Sequence, residues 1–273
     1  MTDAESSLAG FNFAEFTRAE FTLGEHRIPD LRTRRMGVIV PASNTNAEPD
    51  CLMLAASGLT LHVTRSGGYD VEAIPDSTEM RRFARQALDQ QLQLLVDARV
   101  ELIAYACTSA TLSDGPEFDA AFCAEITAKS GLPAVTTAGA LIEAIRDLGA
   151  TRVAFTSPYV PKLAQESVEF IQHCGIEVVN QLGFERELNS LEQNQLSPED
   201  AYRMGLAVDH PQAELVVISC TDYRALEAVP ALEQALGKPV ITSNSALMYA
   251  CLKRLDMEIA DIEAGGYLFT RRN

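Results

Sequence analysis

The chain has 273 residues, 47% of them hydrophobic, and 38 acidic against 22 basic residues leave a formal net charge of −16. That length allows one large or two small domains, with enough apolar material for a real core. The acidity argues against nucleic acid as a partner, because phosphate binding needs clustered Lys and Arg, and no apolar run approaches the ~20 residues that span a bilayer.

The first segment, 1–34, differs from the rest. It carries a short duplication, "AEFTRAEFT", and ends in the charged stretch "DLRTRR". It reads as an N-terminal arm, partly helical, packed on the surface or on a partner subunit. It lacks a basic region followed by an apolar one, so it is not a signal peptide. The expected location is the cytoplasm.

From Met36 strands and helices alternate. "MGVIVPASN" reads as a strand and a loop, "LTLHVTRS" as a second strand. "TEMRRFARQALDQQLQLLVDAR" has Phe83, Ala87, Leu88, Leu92 and Leu95 at helical spacing and predicts one long helix. "VELIAYAC" is a third strand. "PEFDAAFCAEITAKSG" is a helix closed by Gly131. "LPAVTT" is a strand and "AGALIEAIRDLGA" a helix closed by Gly149.

The pattern then restarts. "TRVAFTSPY" is a strand, "PKLAQESVEFIQHCG" a helix closed by Gly175, and "IEVVNQLGF" a strand. "SPEDAYRMGLAVDH" is a helix with Ser197 as N-cap and Pro198 at its first position. "AELVVISC" (strand), "ALEAVPALEQALG" (helix), "KPVITS" (strand) and "SALMYACLKRL" (helix) complete it. Short apolar strands alternating with helices indicate parallel sheets covered on both faces. "VELIAYACTSAT" matches "AELVVISCTDYR", and "SGLPAVTTAGALIEAIRDLG" matches "LGKPVITSNSALMYACLKRL". The offset of about 110 residues predicts two α/β lobes related by a pseudo-two-fold, over 35–149 and 150–273. The C-terminal helix is free to cross back to the first lobe.

Six cysteines without a C-x-x-C pair read as reduced thiols, not a disulfide scaffold. The four histidines have no metal-ligand spacing, so no metal is expected. Ligands of open parallel sheets bind beyond the carboxyl ends of the strands. That rule selects Ser43, Asn44 and Thr45, then Cys107, Thr108 and Ser109, then Tyr159, then Cys220 and Thr221, and Asn244 as a polar tip and plausible N-cap. A lone cysteine at a strand end is usually just a small buried residue. Symmetric placement of Cys107 and Cys220 favours chemistry instead: two thiols on opposite walls, working as paired acid and base or as nucleophile and acid. Either scheme needs a thiolate, which helix N-termini and backbone N–H donors would favour. The hydroxyls and amides around them suit a substrate carboxylate or an enolate-like intermediate.

The stretches "RMGVIVPASNTNAEPD", "AYACTSAT", "TSPY", "ISCTDYRALE" and "GKPVITSNSA" resemble the Asp/Glu racemase superfamily. The closer match is the branch of maleate cis–trans isomerase, arylmalonate decarboxylase and the ectoine-utilisation protein. The resemblance covers about residues 35–255 and implies two flavodoxin-like lobes, a site in the cleft between them, and no cofactor. It also implies a small-molecule carboxylate as substrate and a homo-oligomer. By motif, Cys107 and Cys220 become the catalytic pair, and Asn44, Tyr159 and Asn189 in "ELNSL" bind substrate or intermediate. Arylmalonate decarboxylase lacks the first cysteine, so both thiols here argue against decarboxylation. Two departures stand out. "ACTSAT" is more polar than expected of a maleate isomerase, and "CTD" brings Asp222 close to the second thiol, where a carboxylate facing inward would raise its pKa. The expected function is cofactor-independent isomerisation of a small carboxylate. The rival readings are a racemase or epimerase in ectoine or amino-acid-derivative breakdown, a decarboxylase of the same family, and a non-catalytic binding protein.

Overall fold

The structure is a computed structural model that describes residues 22–23, 26–27, 33–259 and 262–270. Strands β1 (Thr22–Leu23) and β2 (His26–Arg27) pair antiparallel. The helical expectation for the rest of the arm lies outside the described residues.

The first lobe contains β3 (Arg34–Pro41), α1 (Ala47–Met53), β4 (Leu59–Ser66), α2 (Ser77–Arg85), α3 (Leu88–Asp97) and β5 (Leu102–Tyr105). Short α4 (Thr108–Leu112), α5 (Gly115–Ser130), β6 (Ala134–Thr136) and α6 (Thr137–Asp147) follow. The second lobe contains β7 (Arg152–Thr156), α7 (Pro161–His173), β8 (Glu177–Leu182), α8 (Ser190–Asn194), α9 (Pro198–Val208) and β9 (Leu215–Ile218). It ends with α10 (Val229–Leu236), β10 (Val240–Thr242), α11 (Ser243–Arg254) and α12 (Tyr267–Thr270).

Two four-stranded, wholly parallel sheets result, ordered β4-β3-β5-β6 and β8-β7-β9-β10. Each lobe's first strand lies second in its sheet, so the two orders are equivalent. The central strands are apolar runs buried along their length, as sheets covered on both faces require. Gly131, Gly149, Gly175 and Gly237 all take positive φ where the predicted helices end. The Ser197 cap is present, closed into a capping box with Asp200.

The single long helix predicted over 78–99 is two helices. Gln86 is extended and Ala87 lies at φ 56°, so α2 stops and α3 starts in a new direction. Apolar spacing continues across the break because both segments bury a face, against different surfaces. Helix α3 packs on the β4 side of the first sheet and on α5, whereas α2 packs on α4.

The lobes meet through α6 and α11. Tyr249 Oη donates to Asp147, Lys253 pairs with Glu143 and Asp147, and Arg254 pairs with Glu143 at 2.8 Å. Helix α11 also packs against β5, β6 and α1 of the first lobe, and α12 packs on α11 and β10. Among the described residues, no helix is long and apolar enough to cross a membrane.

Candidate active site

The carboxyl ends of β3, β5, β7 and β9 open on one cavity of about 450 Å3, its mouth included. Cys107, just beyond β5, and Cys220, just beyond β9, both line it, and both are buried. Ser43, Asn44, Thr108, Ser109, Tyr159 and Thr221 line it too.

A buried hydrogen-bond chain holds the two walls together. Asn44 Oδ1 accepts from the Asn46 and Ala47 amides at 3.0 and 2.9 Å, just ahead of α1. Its Nδ2 donates to Thr221 Oγ1 at 3.0 Å, and that hydroxyl donates across the lobes to Ala106 O at 3.0 Å. A second crossing runs from Thr108 Oγ1 to Ser243 Oγ at 2.9 Å, which also accepts the Cys220 amide at 3.0 Å. Partners satisfied in this way fix the rotamers of the residues next to each thiol.

Three expected residues have other work. Thr45 is exposed and outside the lining; its amide donates to Asp222 Oδ1 at 3.0 Å. Asn189 is the N-cap of α8, closed into a capping box with Glu192, and is also outside the lining. Asn244 is fully buried behind the cavity, bridging Asp50 Oδ2 (2.7 Å) and Thr221 O (3.0 Å). The cap of α11 is Thr242, in a box with Ser245, rather than Asn244.

Pro41, Tyr69, Pro75, Met80, Phe83, Ser190, Gln193 and Asp222 complete the wall. Tyr69 Oη is 2.6 Å from Ser43 Oγ. It follows β4 in "SGGYD", so the strand-end rule applied to that strand would have found it. Cys220 Sγ donates to Gln193 Oε1 at 3.8 Å, and Gln193 Nε2 donates to Leu188 O at 3.0 Å. Nothing in the sequence pattern marks Gln193, because its helix has only five residues.

The electrostatics correct the expectation of a ready thiolate. Cys107 starts α4 and receives the Ala110 amide, and Ser109 Oγ lies 3.7 Å from its sulfur. Burial outweighs these donors and pushes its thiol up to about 11. Cys220 is raised further, by burial first and by Asp222 second, although the Asp222 amide donates to its sulfur at 3.4 Å. Asp222 does face inward, as the "CTD" departure required, and burial pushes its own carboxyl up to about 7. Among the described lining residues there is no Lys, Arg or His.

A family model described as arylmalonate decarboxylase matches residues 36–269. The chain is 32% identical to the maleate isomerase of Geobacillus stearothermophilus over 248 residues, which is 86% of this chain and 96% of the relative. It superposes on the maleate isomerase Iso of Pseudomonas putida S16, crystallised as a cysteine-to-alanine variant with maleate, at TM-score 0.80 and 29% identity. That likeness covers 87% of this chain and 97% of the other. The fold also matches a Nocardia farcinica maleate cis–trans isomerase mutant with a covalently bound succinylcysteine intermediate, at TM-score 0.80 and 24% identity over 88% of this chain and 99% of the other. The chain therefore belongs to the arylmalonate decarboxylase family, on the side of its maleate isomerase relatives, and is an isomerase.

Proposed function

We propose that the enzyme converts maleate, or a cis-enedioate of similar size, to the trans isomer by reversible thiol addition. The observation carrying this reading is the pair Cys107 and Cys220 at corresponding strand ends on the walls of one cavity. Two carboxyl groups separated by a double bond fit its hydroxyl and amide lining, and its similarity to maleate isomerases supports the same substrate.

Unequal environments divide the roles. Cys107 is easier to ionise and is the nucleophile; Cys220 holds its proton more firmly and is the acid. Ionising a thiol of pKa about 11 at neutral pH costs roughly 5 kcal/mol, a modest part of a catalysed barrier. The Cys107 proton leaves through the cavity mouth as its sulfur bonds to one alkene carbon. The π pair moves to the adjacent carbon and its carboxylate, and that carbon takes the Cys220 proton. The product is a succinyl thioether on Cys107 with a thiolate at Cys220. Half a turn about the new single bond follows. Cys220 then removes a proton from the same carbon, the C–S bond breaks, and the trans double bond forms with Cys107 released as thiolate. Asn44, Tyr159, Ser43 and Ser109 hold the carboxylates, while Thr108 and Thr221, whose hydroxyl protons go to Ser243 Oγ and Ala106 O, fix the walls around them.

Replacing Cys107 or Cys220 by Ser is expected to lower kcat for maleate by about a thousandfold or more. Cys220→Ser incubated with maleate is expected to accumulate the Cys107 thioether, read by peptide mass spectrometry. Near wild-type turnover in either variant overturns the two-thiol reading. Solvent deuterium entering a chiral substrate without a thioether would indicate racemisation instead.

A further inference from the structure

Among the described residues Asp222 is the one acidic residue in the cavity lining, and its two oxygens differ. Oδ1 accepts from the Thr45 amide at 3.0 Å and from Asn46 Nδ2 at 2.9 Å, and the Asn46 amide also faces the carboxyl, while among the described residues no side chain donates to Oδ2. The side chain is thus held from behind, on an α1-side loop anchored by Asn46 to Asn194 O and Asp222 O at 3.2 Å each. The groups around it are the thiols of Cys107 and Cys220, the phenols of Tyr69 and Tyr159, and Arg65 at the end of β4. Tyr223 and Arg224 follow it in the chain. Arg65 is half-exposed, already paired with Glu48, and donates to Asn44 O at 2.7 Å, so it neutralises little of the interior.

A dianion entering this cavity meets a carboxyl and no lining cation. A bare carboxylate a few ångströms away would weaken it about a thousandfold in a low-dielectric site. Keeping the proton costs only about tenfold for each pH unit above the acid's own pKa. We propose that Asp222 binds the substrate in its protonated form, its Oδ2 hydroxyl donating to a substrate carboxylate, and so admits a dianion by taking up a proton. The inference rests on the isomerase substrate proposed above, and casts Asp222 as a binding residue rather than a base for either thiol. A protonated acid in a dry site is a strong donor and adds no charge. Burial already brings its titration to about 7, so the proton is held at little cost near neutrality.

The test uses succinate, a saturated C4 dianion that cannot undergo addition, and calorimetry of the full chain in two buffers of different ionisation enthalpy. At about pH 8 the wild type is expected to take up close to one proton per succinate bound. Its affinity is expected to weaken about tenfold per pH unit above the Asp222 titration. Asp222→Asn keeps a donor without a titration and is expected to take up no proton, with affinity flat within about threefold from about pH 6.5 to about pH 8.5. Wild-type binding without proton uptake, the same pH dependence in Asp222→Asn, or no succinate binding at about pH 6.5 overturns the inference. The proton count needs no variant, so misfolding of Asp222→Asn does not block the test. Maleate turnover is measured separately: turnover without proton uptake refutes the role of Asp222 alone, and proton uptake without turnover refutes the isomerase substrate alone.

Discussion

The backbone of Cys220 lies at φ 138°, where L side chains are strained by about 1–3 kcal/mol. The hydrogen bond from its amide to Ser243 Oγ and the burial of Tyr223 and Thr221 beside it hold it there. The twist directs the thiol into the cavity while the chain turns back under it. Cys220→Gly is therefore expected to be more stable than Cys220→Ala by about 1 kcal/mol, read from chemical-denaturation midpoints. An Ala variant of equal or greater stability would mean that the strain is absent. At this scale the sequence was legible where a residue follows a short, largely apolar buried strand, as Cys107, Thr108, Tyr159, Cys220 and Thr221 do. It was silent on Gln193, which reaches the cavity from a single helical turn. Asn189, expected to bind substrate, instead caps that same turn, and its neighbours Ser190 and Gln193 face the cavity. A cap residue and a ligand residue are the same amino acid in the same kind of loop, and local pattern cannot separate them.

The break between α2 and α3 gives the cavity its apolar wall. Met80 and Phe83 of α2 line it, and Phe83 packs edge-on to Tyr69 at 4.9 Å between ring centroids. A continuous helix would carry these side chains along the line of α3, away from the strand ends. The break rests on Ala87 at φ 56°, a conformation that costs a non-glycine residue about 1 kcal/mol or more. Ala87→Gly is expected to stabilise the protein by about 0.5–1 kcal/mol in urea titration. In an unbroken helix the same change would destabilise by about 1 kcal/mol, so the sign decides. Apolar periodicity located the helical residues correctly but could not show the break, because the spacing stays in phase across it.

Taken whole, the described residues include four buried carboxyls that hold their protons more tightly than usual: Asp50 and Asp222, each raised to about 7, Asp119, raised to about 6, and Glu233, also raised, all mainly by burial. An acid with a raised folded pKa binds its proton more tightly in the folded chain than in the unfolded one. Its contribution is full below the unfolded value near 4 and is lost as pH rises through the folded value. The net charge of −16 adds self-repulsion over the same direction of pH. Stability, read as the melting temperature, is therefore expected to fall between about pH 5 and about pH 8, by several kcal/mol. A melting temperature that rises over that window would mean that these acids ionise freely in the folded protein. The sequence by itself determined the alternation of strands and helices, the repeat of one lobe pattern, the helix-ending glycines and the placing of two cysteines at matching strand ends. Those features are set by local periodicity and turn chemistry, which act over a few residues. Only the tertiary structure decided that the strand ends converge on one cavity, that burial leaves both thiols protonated, and that Asp222 faces them. Those outcomes depend on desolvation and on contacts such as Asn44 to Thr221, 177 positions apart in the chain, which no local pattern encodes.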